Sequence, residues 1–179
     1  MPGASAPVSR RPARVWPPRL AAALVVATVL TGCSSSSAPS NPSSGLQVSG
    51  TANGWVFHDG QTVKVSMGPN KIFTPYVRLN IIQCADPDGT TANLPTTLAN
   101  CDATTVQGDS LIPAKDGSFS ESAYPIYQLP SATLGENKTN QPVCNATHKC
   151  VLFVGEDFNN FHKPKVFSEP FTVGTGSGS

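Results

Sequence analysis

CNATHKCVLFVGEDFNNF, residues 144 to 161, places two closely spaced cysteines before the apolar run VLFV, which has no polar break. In a strand with one face in water, side chains alternate between core and solvent, so about half of such a run should be polar. Val151 and Phe153 lie on one side of such a strand. Cys150, Leu152 and Val154 lie on the other. The stretch therefore predicts a strand with both faces buried, and leaves open which set faces the main core.

Short strands separated by turn signals surround this stretch. In QTVKVSM, residues 61–67, apolar and polar residues alternate, and YVRLNI, residues 76–81, follows the same pattern. Asp-Gly pairs begin at positions 59, 88 and 116 and mark turns. The other predicted strands cover residues 46–50, 104–112, 118–129 (in two pieces around Pro125), 150–154 and 166–173. Roughly seven strands at this spacing indicate an all-β domain, a seven-stranded antiparallel β-sandwich of immunoglobulin type.

The composition predicts one folded domain with unstructured ends. The chain has 179 residues, of which 39% are hydrophobic and 13% charged. From Cys33 onward eight basic residues face eleven acidic ones, a side-chain charge of −3. No basic surface of the kind that binds nucleic acid is indicated, so no direct nucleic-acid binding is predicted.

The beginning of the chain predicts export. Residues 1–32 combine four arginines, the apolar stretch LAAALVVATVL and small residues, which together are typical of a signal peptide. The apolar stretch is too short to span a bilayer as a stable helix. Its end, Leu30-Thr31-Gly32-Cys33, resembles a bacterial lipobox, which implies cleavage before a diacylglyceryl-modified Cys33. The alternative is a secreted protein in which Cys33 is incidental.

Lipidation at Cys33 places the protein on the outer side of the bacterial cell membrane. Residues 33–44, which are rich in Ser and Pro, predict a flexible tether between the lipid and a folded domain at 45–174. Residues 175–179 predict a flexible Gly/Ser tail.

Four cysteines remain after Cys33: Cys84, Cys101, Cys144 and Cys150. Outside the cytoplasm, four cysteines suggest two disulfides, which three pairings could form. Sequential pairing is the simplest, since each bond then closes a short loop. A four-cysteine zinc site is the competing interpretation, but the close CxxC spacing that usually builds one is missing. We therefore predict no metal.

Five segments, in order, resemble the neocarzinostatin and macromomycin apoproteins: SSGLQVSG, DGQTVKVS, IIQCADPDG, DGSFS and CNATHKC. The resemblance covers roughly residues 43 to 173. It implies a seven-stranded immunoglobulin-like barrel with two cystines. It also implies a cleft that binds a reactive enediyne chromophore non-covalently, through shape and apolar burial. The chain departs from the family in having bulky Val151 and Phe153 where small or polar residues are usual, longer disulfide loops, and a lipobox.

The resemblance also implies a ligand site. In that family the strand after the tight cystine contributes to the cleft, and small-molecule sites are concave and mostly apolar. The predicted ligand-binding residues are Val151, Phe153, Phe158 and Tyr127. The alternative is that Phe158, Phe161 or the segment 124–129 folds over the strand and completes the core.

Two functions from different classes follow. The first is a tethered, monomeric protein that binds an apolar or aromatic small molecule and needs no cofactor of its own. The second is a cell-envelope interaction module with a filled cleft. No enzyme is predicted: Gly108-Asp109-Ser110-Leu111 matches the motif of a lipase and esterase family, but the supporting catalytic context is missing. The histidines His58, His148 and His162 lie in polar loops and are predicted to be solvated.

Overall fold

The protein, seen in a computed structural model that describes residues 45–50, 55–107, 111–136 and 142–176, is essentially all-β. Within these ranges the only helical element is a single 3₁₀ turn at Leu98–Asn100. The predictions made for residues 1–44, including Cys33, and for the last three residues of the tail lie outside the described part. The strands are β1 Leu46–Ser49, β2 Val56–His58, β3 Thr62–Met67, β4 Asn80–Ala85, β5 Cys101–Gln107, β6 Phe119–Pro125, β7 Cys150–Gly155, β8 Lys165–Phe167 and β9 Thr172–Gly174.

These strands form three sheets. The first is three-stranded in the order β1-β3-β6, and the second is four-stranded in the order β5-β4-β7-β8. Both are antiparallel, whereas β2 and β9 pair in parallel as a separate two-stranded sheet. The all-β class is confirmed. The sheets do not close into a barrel, and the finer prediction of a seven-stranded antiparallel sandwich is not confirmed: the described residues form nine short strands, two of which pair in parallel.

One main core joins the three sheets. Alternating residues of β1 and β3, such as Val48 and Val65, meet Leu152 and Val154 of β7, and Phe57 of β2 completes the contact from the third sheet. Phe57 also packs edge-on against Phe171, with ring centroids 5.1 Å apart. Edge-to-face geometry is favourable for aromatic pairs, so these rings add to the stability that apolar burial provides.

Several strand boundaries differ from the predictions. The alternation of residues 76–81 predicted a strand there, but β4 begins only at Asn80 and Val77 is exposed. The segment 166–173 divides into β8 and β9, which belong to different sheets. β2 was not predicted, since three residues are too few to establish a period. The predicted turns at Gly60, Gly89 and Gly117 are confirmed, as each glycine has a positive φ.

Two disulfides are present, and the sequential pairing is confirmed. Cys84 and Cys101 lie directly opposite each other on the neighbouring strands β4 and β5. Cys144 and Cys150 close the short ring that leads into β7. The first bond therefore fixes the register of two strands, while the second fixes the entry of β7 into the sheet.

Candidate functional site

The six residues of β7 are all buried, as the unbroken apolar run predicted. Leu152 and Val154 face the main core, together with Cys150. Val151 and Phe153 face the opposite side of the four-stranded sheet, where a second apolar cluster covers them. In the pairing of β4 with β7, Ile82 lies opposite Phe153 and Cys84 lies opposite Val151. Ile82 and Cys84 therefore belong to the same cluster on this second face.

The second cluster comes from three parts of the chain. Its buried members are Ile82, Cys84, Cys101, Val151, Phe153, Phe161 and Phe167, with Leu94, Leu98 and Phe158 packed around them. The first disulfide is part of this cluster, so the loop that it closes is held over the sheet. Two loops, 86–100 and 156–164, thereby cover the face on which the family resemblance placed a ligand cleft.

The ring of Phe153 occupies the centre of the second cluster. Its centroid lies 4.9 Å from that of Phe161 and 5.6 Å from that of Phe167. Phe153 is only 1% exposed and Val151 is fully buried. A side chain with no accessible surface presents none to a ligand, so in this structure these two residues form part of a packed interior.

Gly155 makes room for this ring. A Cβ atom added at Gly155 would lie 2.5 Å from Cζ of Phe153 and 3.1 Å from Cβ of Lys165. The first distance is shorter than real Cβ contacts and the second is tighter than most of them, so a side chain at position 155 would require the Phe153 ring to move. The sequence showed Gly155 at the end of the strand, but nothing in the pattern connected it to the ring two residues earlier.

Tyr127 is not part of this cluster. It is half-buried and packs against the main core, on the other side of the four-stranded sheet from Phe153. The reason is the buried side chain of Gln83, whose Oε1 accepts the Tyr127 N–H (3.0 Å) and whose Nε2 donates to the Tyr127 carbonyl oxygen (2.6 Å). The predicted set of ligand-binding residues is therefore only partly brought together: Val151, Phe153 and Phe158 share a cluster, and Tyr127 lies elsewhere.

The alternative that loop aromatics cover β7 describes the structure better. Phe161 is buried on Phe153, and Phe158 packs against the same cluster. The segment 124–129 contributes instead to the main core through Tyr124, Ile126 and Leu129. Phe167 was missed, because a residue 14 positions away in a separate strand gives no periodic signal.

Exposed apolar side chains lie on the loop between β3 and β4 and at Ile112, in the segment between β5 and β6. Tyr76 is 68% exposed and has a left-handed backbone (φ 65°), which is uncommon for a bulky residue. Ile72, Val77 and Ile112 are also exposed, and the Tyr76 N–H donates to the Pro113 carbonyl oxygen (3.1 Å). We call the surface formed by Ile72, Tyr76, Val77 and Ile112 the Tyr76 surface.

Two hydrogen-bonded residues fix this loop. Asn70 Oδ1 accepts the N–H groups of Ile72 (3.0 Å) and Phe73 (3.2 Å), and Glu156 Oε1 accepts that of Thr74 (2.7 Å). A cavity of about 560 Å³ lies beside it, lined by Phe73, two prolines, Asn70, Asp116 and the exposed side chains of Lys71 and Lys115. Tyr76 therefore belongs to a loop whose backbone is fixed by hydrogen bonds. Beside this loop lies a cavity lined by both apolar and positively charged residues.

A second cavity, of about 450 Å³, lies between the 86–89 turn and the Cys144–Cys150 ring. Asp86, only 3% exposed, lies on its wall, and neither of its carboxylate oxygens has a hydrogen-bond partner. Burial, with the nearby Asp88 carboxylate, raises the pKa of Asp86 to about 6. Asp88 itself accepts hydrogen bonds from Thr90 and Asn93, which lower its pKa.

No group of three or more His, Cys, Asp or Glu side chains in the described ranges is arranged to hold a metal ion. The three histidines that the sequence singled out are exposed, as predicted, but His58 is the last residue of β2 and does not lie in a loop. Among the residues that the structure describes, no helix has the length and apolar character needed to cross a membrane. Three of the four residues of the lipase-like motif, 108–110, lie outside the described ranges.

Comparison with known proteins returned nothing: no family model, no curated protein and no solved structure matches the chain.

Proposed function

We propose that this protein is a lipid-anchored, extracytoplasmic interaction module of the bacterial cell envelope, built on a neocarzinostatin-like domain whose ligand cleft is filled. The observation that carries the proposal is the burial of Val151 and Phe153 under Phe161 and Phe167. The predicted site of a chromophore is packed interior, so binding takes place at the surface.

The Tyr76 surface is the best-supported contact region. Exposed aromatic residues dominate the energetics of protein interfaces, and a fixed loop loses little conformational freedom when a partner binds. The left-handed backbone of Tyr76 costs free energy in the folded state, and such strain is concentrated at functional sites. The neighbouring Lys71 and Lys115 favour a polypeptide partner with an apolar segment flanked by acidic residues.

The tether supports the same function. A protein anchored through Cys33 stays at the membrane surface, where it meets other envelope proteins but cannot carry a cargo over distance. An all-β domain with two disulfides suits this compartment, because disulfides persist in oxidising surroundings. The anchor, the tether and the location outside the cytoplasm are parts of the proposal.

Site-specific photocrosslinking in intact cells tests this function. A photoreactive amino acid replaces Tyr76 in one variant and Ser120, an exposed residue of β6, in a matched control. We expect one discrete crosslinked protein from position 76 that position 120 does not give. Identical background products at both positions would contradict the proposal.

Binding of an apolar small molecule is a second candidate, favoured by one observation. The cavity beside Phe73 has a volume of about 560 Å³, which lies within the usual range for small-molecule sites. Native mass spectrometry of the exported protein from its own host tests this candidate. An extra mass that disappears on denaturation, and that is weakened by Phe73→Ala but not by Phe153→Ala, would support this cavity as the site.

A further inference from the structure

Asp86 is a buried acid whose side chain accepts no hydrogen bond. Only 3% of the residue is exposed, and both carboxylate oxygens are shielded from solvent without a partner. Burial raises the pKa of this carboxyl group to about 6, with a further contribution from Asp88, so the group is mostly ionised at neutral pH. A shielded carboxylate without donors is unfavourable, and a ligand that supplies N–H donors together with positive charge would remove that cost.

The residue lines a cavity large enough for such a ligand. The cavity, of about 450 Å³, lies between the 86–89 turn and the ring that Cys144 and Cys150 close. Its volume falls within the usual range for small-molecule sites. Pro87 and Val143 give the cavity an apolar wall beside the acid. The combination suits a ligand with a charged end and a short apolar chain.

Backbone hydrogen bonds fix both sides of the cavity. The Asp86 N–H donates to the Lys149 carbonyl oxygen (2.9 Å), which joins the turn to the ring, and the Gly89 N–H donates to the Asp86 carbonyl oxygen (3.2 Å). Within the ring, Asn145 Oδ1 accepts the Thr147 N–H (2.8 Å). A site that is held in this way loses little conformational freedom when it binds a ligand.

The edge of the cavity already holds an ammonium group, that of Lys149. Its Nζ donates to the Gly89 carbonyl oxygen (3.1 Å), and its stem crosses the glycine, since a Cβ atom added at Gly89 would lie 2.9 Å from Lys149 Cδ. The charge of Lys149 lowers the pKa of Asp86, although no hydrogen bond joins the two side chains. Because the Lys149 side chain is exposed, its ammonium group can return to solvent when another takes its place.

We propose that this cavity binds a primary ammonium group, which donates to the Asp86 carboxylate and the Gly89 carbonyl oxygen and displaces the competing ammonium group of Lys149. Pro87 and Val143 contact the alkyl chain that carries the group. The site shares no residue with the Tyr76 surface, and the proposal does not depend on the proposed interaction function.

A divalent metal ion suits these residues less well. Calcium takes roughly six to eight oxygen ligands. The carboxylate of Asp88 already accepts hydrogen bonds from Thr90 (3.0 Å) and Asn93, and the described part of the chain places no three His, Cys, Asp or Glu side chains together for a metal. An ammonium group has only three N–H donors, and the two oxygens of Asp86 with the carbonyl oxygen of Gly89 offer three acceptors.

Titration of the purified protein with n-butylammonium chloride at about pH 7.5, followed by NMR, tests the site. The carboxyl carbon of Asp86 and the amide of Gly89 are recorded, with the amides of β3 as an internal reference. Tetramethylammonium chloride at the same concentration is the control, because it carries the charge but has no N–H to donate. We expect saturable shifts at Asp86 and Gly89 with butylammonium alone. Equal shifts with tetramethylammonium, or no saturable shift with butylammonium, would overturn the proposal.

Asp86→Asn and Lys149→Met are the matched variants. Asp86→Asn keeps the shape of the side chain but removes its negative charge, so we expect the Kd for butylammonium to rise about tenfold or more. Lys149→Met keeps an unbranched stem but removes the competing ammonium group, so the Kd should fall severalfold. An unchanged Kd in Asp86→Asn, or an equal or higher Kd in Lys149→Met, would overturn the proposal.

Two further titrations identify the source of the ligand. A short peptide with one internal lysine carries the same ammonium group on a polypeptide. Tighter binding of this peptide than of butylammonium would support the site with a polypeptide partner, and weaker binding would support it with a free amine. Saturable shifts with calcium chloride at the same or lower concentration would overturn the proposal, because the cavity would then be a metal site.

Discussion

The ring of Phe153 in β7 lies 4.9 Å from the ring of Phe161, a residue of the loop that follows the strand. This contact closes the second face of the four-stranded sheet with the chain's own side chains. It also explains why β7 has no polar alternation, since Leu152 and Val154 meet the main core on one side while Val151 and Phe153 meet the second cluster on the other.

Phe153→Ala should strongly destabilise the domain. Removing a buried phenylalanine side chain costs about 3–5 kcal/mol, through lost burial and the cavity left behind. Chemical denaturation followed by circular dichroism measures this loss. Tyr76→Ala is the matched control, because Tyr76 is mostly exposed and its replacement should change the free energy of unfolding by only about 0.5 kcal/mol. Equal effects of the two substitutions would contradict the packing described here.

The same Phe153→Ala variant should gain a binding site. A dry apolar cavity of sufficient size can take up a small aromatic molecule such as benzene. We expect benzene to stabilise Phe153→Ala against thermal unfolding and to leave the parent protein unchanged. Stabilisation of the parent to the same extent would mean that the face of Val151 and Phe153 is already open.

Gly155→Ala should destabilise the protein through the ring of Phe153. The added methyl group would overlap Cζ of Phe153, and overpacking of this kind costs about 1–3 kcal/mol. In the Phe153→Ala background most of this cost should vanish, because the ring is gone. A double-mutant cycle on the free energy of unfolding measures the coupling. Additive effects would show that the two positions are independent.

Gln83→Leu should loosen the segment around Tyr127. The substitution keeps the apolar bulk but leaves both backbone groups of Tyr127 without their Gln83 partners, and each unsatisfied buried group costs about 1–3 kcal/mol. Hydrogen exchange at the Tyr127 amide should accelerate more than exchange at the Phe153 amide. If exchange accelerates to the same degree at both amides, the substitution destabilises the whole domain, and the local role described for Gln83 is wrong.

Asp86 should make stability depend on pH. Its pKa is about 6 in the folded protein against an ordinary value of 3.8, so the folded state binds more protons between these values. The free energy of unfolding should therefore fall as pH rises from about 4 to 6 and remain at the lower level above that range. Denaturation of the parent and of Asp86→Asn at several pH values measures this effect. Asp86→Asn should remove the slope; an unchanged slope would assign it to another group.

The elements that the sequence predicted well are those in which neighbouring residues carry the information. β3 and β7 were predicted because their patterns extend over several residues, and Asp-Gly pairs identified the turns. The pairing of cysteines was predicted because short loops are the easiest to close.

What the sequence did not predict depends on distant contacts. The burial of Phe153 requires Phe161 and Phe167, and the placement of Tyr127 on the opposite side of the sheet is determined by the Gln83 side chain, 44 residues away. The parallel pairing of β2 with β9 joins the two ends of the domain. None of these contacts has a local periodicity. The Tyr76 surface was missed for a related reason, because alternation suggested a strand where the chain forms an exposed loop.

Solvent exposure of Phe153 in the folded protein tests the central claim most directly. A dissolved gadolinium chelate broadens the NMR signals of residues that solvent reaches, and the aromatic signals of Phe57 and Tyr76 serve as buried and exposed references. We predict that Phe153 will be as protected as Phe57, while Tyr76 broadens strongly. Broadening of Phe153 to the level of Tyr76 would mean an open cleft, and would contradict the account in favour of small-molecule binding at that face.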